Sequence, residues 1–159
     1  MKNSQLFSLF DALQKVAKID GARFAYWVSK NIKIVLDELK VIEEQKEQTE
    51  KYKEFEKLRI ALCEKHSKKD SEGNAIIIKI DESKSEYDIK DQKKFIAELD
   101  KLKEEHTEAI AEYQKKLDDY QKLLKDEITI EFFSIKVETI PEGISANLIF
   151  PLMDANIIE

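Results

Sequence analysis

Apolar or semi-apolar side chains recur every three or four residues along two long stretches of the chain, a spacing that places them on one face of an α-helix. In the first stretch they are Val28, Ile32, Val35, Leu39 and Ile42, and after a polar interval Tyr52, Phe55, Leu58 and Leu62. In the second they are Phe95, Leu99, Leu102, His106, Ala109, Tyr113, Leu117, Tyr120 and Leu124. We therefore predict helices over 22–66 and 91–126 that pack antiparallel as an elongated hairpin.

The polar interval, EEQKEQTEK, covers residues 43–51 and lacks the apolar stripe. It can be read as a hinge or docking surface, or as a helix surface rich in ion pairs. In the predicted hairpin, position 45 faces position 113 and position 49 faces position 109. Gln45 and Thr49 would then meet Tyr113 and Ala109 in a polar but packable layer.

Residues 1–21 predict a separate N-terminal helix that ends at the turn residues Asp20 and Gly21. Its apolar stripe is formed by Leu6, Leu9, Phe10, Leu13, Val16 and Ala17. Such a helix must fold back onto an apolar partner, and the nearest one is the aromatic start of the next helix. We expect Phe24, Tyr26, Trp27 and Val28 to form the densest part of the core.

Two short segments between the long helices predict a small β ribbon. A turn-rich sequence at 67–74 precedes the β-branched run at 76–80, and a polar loop then leads to residues 86–89. We predict that these two segments pair as a hairpin, which makes 76–89 a ribbon at the tip of the helices. The expected fold class is mainly α with small β elements, that is, α+β.

Region 127–159 predicts an acidic base made of a strand and a helix. Alternating apolar residues favour a strand over 127–137, and Ser145 and Pro151 are expected to cap and to break a final short helix. The strand has no obvious partner in its own chain, so it can serve as a template for association. The candidate interface residues are Ile128, Ile130, Phe132, Phe133 and Ile135, and the simplest outcome is a homodimer. The alternative is that the strand pairs with 139–149 or is covered by the first helix.

Composition restricts the class of protein. The 159 residues fit a single domain, 38% of them are charged, and the single cysteine, Cys63, cannot form an intrachain disulfide. The net charge is -6, and region 127–159 carries six acidic residues against one lysine. Because a phosphate backbone requires clustered cations, we expect no direct nucleic-acid binding. No stretch is apolar enough for a signal peptide or a membrane helix, so we expect a soluble, intracellular protein and no membrane partner.

The sequence offers little catalytic chemistry. Cys63 and His66 have a ligand-compatible spacing, but a closed zinc site needs two further ligands and the other histidine, His106, lies far away in the predicted hairpin. Adjacent carboxylates on a helix point about 100° apart and do not converge on one substrate. Gly73 is out of register for a calcium loop. We therefore expect no metal, no cofactor, no catalytic residue and no enzymatic activity.

Five segments, taken in order, resemble a family of small proteins of unknown function encoded by tailed bacteriophages and prophages. They are the short N-terminal helix, AYWVSKN (25–31), KLRIALCEKHSKKDSEGN (57–74), KFIAELDKL (94–102) and EITIEFFSIKVETIPEGISANLIFPLM (127–153). The chain departs from the usual pattern in longer segments around 43–56 and 103–122, and insertions on both arms of one hairpin would preserve its register. The resemblance implies a phage origin and action in the bacterial cytoplasm or in the virion, and it implies no activity.

Together these observations predict a non-enzymatic interaction protein of phage origin. It would act in particle assembly or by binding and redirecting a host protein. The alternative is an inhibitor of a bacterial antiviral defence system, whose acidic C-terminal region occupies a basic, nucleic-acid-handling surface.

Overall fold

A computed structural model of the protein describes residues 1–19, 21–79 and 85–159. The described chain is mainly helical with one small antiparallel sheet, which confirms the predicted fold class. The elements are α1 (Gln5–Val16), α2 (Ala22–Glu44), α3 (Glu50–His66), β1 (Ile77–Lys79), β2 (Ser85–Tyr87), α4 (Gln92–Glu105), α5 (Thr107–Leu123), a 3-10 turn (Val137–Thr139) and α6 (Ala146–Asp154). They form two compact units, the first made of residues 1–47 and 116–159 and the second of residues 48–115.

The first unit is built around α1, which packs against both α2 and α6. As the stripe predicted, Leu6, Leu9, Leu13 and Val16 of α1 are buried. They share one core with Phe24, Val28, Val35, Leu39 and Ile42 of α2, and with Ile135, Leu152 and Ile157 from the C-terminal region. The predicted end of α1 is wrong by a few residues, because the helix ends at Val16. Asp20 lies outside the described residues, and Gly21 precedes α2 with a φ of 139°.

Residues 1–4 cap the C-terminal end of α5, whose last carbonyl groups have no partner within the helix. The backbone N–H of Ser4 donates to Leu124 O at 3.0 Å, and that of Asn3 donates to Asp126 O at 3.0 Å. The Asn3 side chain adds a bond from Nδ2 to Leu123 O at 2.8 Å. These contacts fix the start of the chain to a segment more than a hundred residues later.

The second unit consists of α3, α4, the beginning of α5 and the ribbon β1–β2. Helix α3 packs on α4, and the Tyr52 ring lies 4.1 Å from the Tyr113 ring of α5. The ribbon pairs Ile77 with Tyr87 and Lys79 with Ser85, which confirms a hairpin here, although Ile80 lies outside the described residues. The ribbon leaves Ile77 exposed.

Neither of the two predicted long helices is continuous. The first is interrupted at residues 45–49, where the stripe is lost and Thr49 Oγ1 accepts a hydrogen bond from the N–H of Tyr52 to start α3. The second is interrupted at His106 and ends at Leu123. There the Thr107 hydroxyl donates to carbonyl groups of the preceding turn, a competition that disturbs a regular helix.

The predicted register is also wrong. The Tyr52 ring lies 4.1 Å from the Tyr113 ring, and the Tyr120 hydroxyl donates to Glu43 Oε1 at 2.8 Å, and the predicted register contains neither pair. The prediction treated 22–66 as one helix with one register. Because the chain leaves the helix at 45–49, α2 and α3 each take their own partners.

Two predictions for the C-terminal region need correction. Residues 127–137 form no regular strand, but an extended segment with isolated bridges from Glu127 to Lys2 and from Ile135 to Ile158. Pro151 does not break the last helix, since α6 runs through it to Asp154. Ser145 is at the N-cap position as predicted, but its side chain makes no capping hydrogen bond.

Candidate interaction surfaces

The segment predicted as an interface strand is hydrogen-bonded within its own unit. The N–H of Ile128 donates to Met1 O at 2.8 Å, and that of Ile135 donates to Ile157 O at 2.7 Å. Ile135 is fully buried, while Ile128, Ile130 and Phe132 pack partly buried against the same core. The premise that this segment has no intrachain partner is therefore wrong. Phe133 is the one exposed member of the five candidate interface residues.

A buried asparagine holds Phe133 in place. Asn31 lies on the buried face of α2, where its Nδ2 donates to Phe133 O at 2.8 Å and its Oδ1 accepts from the N–H of Phe133 at 2.8 Å. One side chain thus satisfies both backbone polar groups of Phe133, as a neighbouring strand would. Sequence reasoning missed this residue, although a lone amide between Val28 and Val35 on a buried stripe was a usable signal.

Three side chains of α2 lie beside Phe133: Tyr26, Trp27 and Lys30. We call these four residues the aromatic surface. The Trp27 ring lies 5.0 Å from the Tyr26 ring and 5.7 Å from the Phe133 ring. The Lys30 ammonium lies 5.6 Å from the Tyr26 ring centre and 5.9 Å from that of Phe133, within the range of cation–π attraction. Tyr26 is 54% exposed and Phe133 is 42% exposed. The expectation that Tyr26 belongs to the core is therefore wrong, whereas Phe24 and Val28 are fully buried as predicted.

The helix that carries most of the aromatic surface also carries exposed cations. Arg23, Lys30 and Lys33 are exposed along the first half of α2, and no acidic residue occurs in this helix before Asp37. None of the three cations forms an ion pair in the part of the chain that the structure describes. The surface therefore combines large rings with cations that form no ion pair among the described residues, although the whole chain is acidic.

The second unit contains an apolar groove between α3 and α4, with a volume of about 380 Å³. Its walls are Leu58, Ala61, Leu62 and Leu102, and its rim is Lys65, Glu98, Lys101 and Glu105. Helix α4 buries none of its residues completely. The groove is thus the open side of a thin, two-helix layer.

One carboxylate at the rim of the groove is strongly stabilised in its ionised form. Glu98 Oε2 lies 2.7 Å from Lys65 Nζ and 3.2 Å from His66 Nε2. The hydrogen bond from Lys65 and the nearby His66 ring lower the pKa of Glu98 to about 2. His66, the last residue of α3, also places its ring 6.0 Å from the Phe95 ring.

The structure does not assemble a metal centre from the residues considered for one. Cys63 is buried with a free thiol, and burial raises its pKa. His106 packs its ring 5.7 Å from the Phe55 ring. Within residues 1–19, 21–79 and 85–159, no three side chains of His, Cys, Asp or Glu are grouped closely enough to hold a metal ion.

The acidic residues of the C-terminal region are all exposed. They are Glu127, Glu131, Glu138, Glu142, Asp154 and Glu159, and Lys136 is the one cation among them. No ion pair neutralises these carboxylates within the described residues. The exposed side chains of the C-terminal region are therefore predominantly acidic.

In the described part of the chain, no helix has the length and apolar character needed to cross a membrane. No family model, no curated protein and no solved structure matches the chain.

Proposed function

We propose that this chain is a non-enzymatic protein-interaction protein of phage origin, which acts in virion assembly or by binding a host protein. The observation that carries the proposal is the aromatic surface, where Tyr26 and Phe133 stand exposed beside Trp27 and Lys30. Tyrosine, tryptophan and phenylalanine are enriched in protein interfaces and often dominate their binding energy.

Preorganisation supports the same proposal. Binding costs free energy when a loop or side chain must become ordered. Here the two hydrogen bonds from Asn31 already hold the backbone of Phe133, and contact with Trp27 limits the Phe133 ring. The surface can therefore accept a partner without first ordering its own loop.

Photo-crosslinking in bacteria that express the chain during infection by a tailed phage tests the proposal. A photoreactive side chain at position 26 should capture a specific protein, and combining Tyr26→Ser with Phe133→Ser in a competing, untagged chain should abolish the competition. Leu36→Ser is the matched control, since Leu36 is also an exposed apolar residue of α2 but lies outside the aromatic surface. If the double variant competes as well as the wild type, the aromatic surface is not the binding site.

The identity of the captured protein separates the two roles. A structural protein of the particle, with the chain retained in purified virions, supports assembly. A bacterial protein captured early in infection supports host binding.

The exposed acidic residues favour a second candidate function, inhibition of a bacterial antiviral defence system. Six carboxylates with one lysine form a surface that suits a basic, nucleic-acid-handling protein. Expression of the chain should then restore plaque formation on a strain protected by such a system. Combining Glu131→Gln, Glu138→Gln and Glu142→Gln should remove this effect, whereas Ser134→Gln, an exposed uncharged site in the same region, should not.

A further inference from the structure

We propose that the groove of the second unit is covered by the same groove of a second copy of the chain, so that α3 and α4 of two copies form a four-helix layer. This inference does not depend on the aromatic surface, which belongs to the first unit.

The first argument is the incomplete burial of α3 and α4. Two helices can cover only one side of each other, and complete burial in this pair is limited to Phe55 and Cys63 of α3. Leu58 remains 42% exposed, and it lines the groove together with Leu62 and Leu102. An apolar stripe that is left open on a helix pair is typically covered by further helices.

The second argument is the charge of the rim, which suits a copy of itself. Lys65 and Lys101 supply two positive charges, and Glu98 and Glu105 supply two negative charges. In a two-fold interface the same patch meets itself and must be self-complementary. Because Lys65 already pairs with Glu98 in its own chain, the charges that can meet across two copies are Lys101 of one and Glu105 of the other. A strongly acidic or strongly basic partner would gain nothing from this rim.

Light scattering and sedimentation of the full chain test the proposal with a pair of matched variants. Leu58 and Ile60 are aliphatic, lie on the same helix and are 42% and 41% exposed. They are separated by roughly 200° around the helix at 100° per residue, and Ile60 does not line the groove. We expect the wild type and Ile60→Glu to be dimers, and Leu58→Glu to be a monomer whose helical circular dichroism is unchanged.

Ala61→Glu keeps the test decisive if Leu58→Glu does not fold. Ala61 is exposed and lines the groove, so the new carboxylate blocks a partner without removing an apolar contact. A second measurement uses the rim charges outside the internal Lys65–Glu98 pair: Lys101→Glu in one chain, and Glu105→Lys in another, should each weaken self-association. Mixing the two variants should restore dimers.

Two outcomes overturn the proposal. A wild type that is monomeric at every concentration, or a dimer that persists in both Leu58→Glu and Ala61→Glu, shows that a second groove does not cover this one. The combined variant Tyr26→Ser with Phe133→Ser should remain dimeric, so failure of this inference and failure of the proposed function are distinguished.

Discussion

At the scale of single residues, Asn31 shows how a buried polar group positions an exposed one. Its amide is fully buried, yet it bonds both the N–H and the C=O of Phe133. Burying an amide without partners is costly, so the two bonds determine where the extended segment can run. The exposed position of the Phe133 ring follows from these two hydrogen bonds.

Replacing Asn31 by alanine should therefore lower stability. The change leaves the backbone N–H and C=O of Phe133 without their partners, a loss of about 1–3 kcal/mol in the free energy of unfolding. Urea denaturation followed by circular dichroism measures it. Asn147→Ala, at an exposed site on α6, should change the midpoint little. Equal midpoints for the two variants would show that the two hydrogen bonds between Asn31 and Phe133 contribute nothing to stability.

Gly21 offers a second test at this scale. Its φ of 139° is strained for any side chain, and a Cβ there would lie 3.0 Å from Cγ of Pro141. Gly143 also has a positive φ, 85°, but a Cβ there would meet nothing within 4 Å. Both alanine variants should lose about 1–3 kcal/mol in the free energy of unfolding, because the new side chain strains the backbone. Thermal unfolding should show the larger loss for Gly21→Ala, and the reverse order would contradict the contact with Pro141.

At the scale of helices, the apolar stripes predicted where helices exist better than where they end. Leu6, Val28 and Leu39 fall on buried faces as the three- and four-residue spacing requires. A hinge within 43–51 was one of two readings of the sequence. The sequence could not decide between a hinge and a continuous helix, because a capping threonine inside a charged run has the same composition as a solvated helix surface. Pro151 was expected to break α6, but the helix continues through it to Asp154. Burial of Leu152, directly after the proline, and of Ile157, just beyond the helix, stabilises this continuation.

The end of α6 carries a specific prediction. Asn156 has a φ of 54°, the N–H of Ile157 donates to Leu152 O at 2.8 Å, and the N–H of Asn156 donates to Met153 O at 2.9 Å. This is the Schellman arrangement, in which a left-handed residue ends the helix. Asn156→Ala should cost about 1–2 kcal/mol, because alanine disfavours left-handed backbone. Asn156→Gly should be at least as stable as the wild type in chemical denaturation, and equal losses for both would contradict this assignment.

Glu98 links α3 to α4 in a way that depends on pH. Its pKa is lowered from 4.5 to about 2, first by Lys65 and then by His66. Its contribution to stability is therefore fully present above pH 4.5 and disappears as the pH falls to about 2. Wild type should unfold at a higher temperature than Glu98→Gln at pH 6, and the gap should close toward pH 2. A gap that stays constant over this range would contradict the ion pair.

At the scale of the whole molecule, the two units differ in the depth of their cores. Most completely buried apolar residues belong to the first unit, and among the described residues of the second they are Phe55, Cys63 and Ala109. The sequence predicted the helical stripes of both units but not this difference. A stripe does not reveal whether a third element covers it. In the first unit, α1 packs on both α2 and α6, and α6 lies far away in the sequence. For the same reason, the aromatic surface could not be separated from the core by pattern alone.

Hydrogen exchange should reveal this difference. Local opening is easier where few apolar contacts hold the backbone. Amides of α3 and α4 should exchange faster than those of α1 and the buried half of α2, and the difference should narrow at protein concentrations that favour the proposed dimer. Equal protection throughout the chain would mean that the two units unfold as one.

The way α1 is covered has a consequence for how the protein is made on the ribosome. Residues 48–115 are contiguous, so their helices can pair as soon as they emerge. The first unit is different, since α1 packs on α6 and residues 1–4 bond to the end of α5. Its core cannot be completed until α6 has been made, and until then α1 can be covered by α2 alone. During synthesis the face of α1 that packs on α6 is thus exposed until α6 emerges, and exposed apolar surface of this kind favours aggregation.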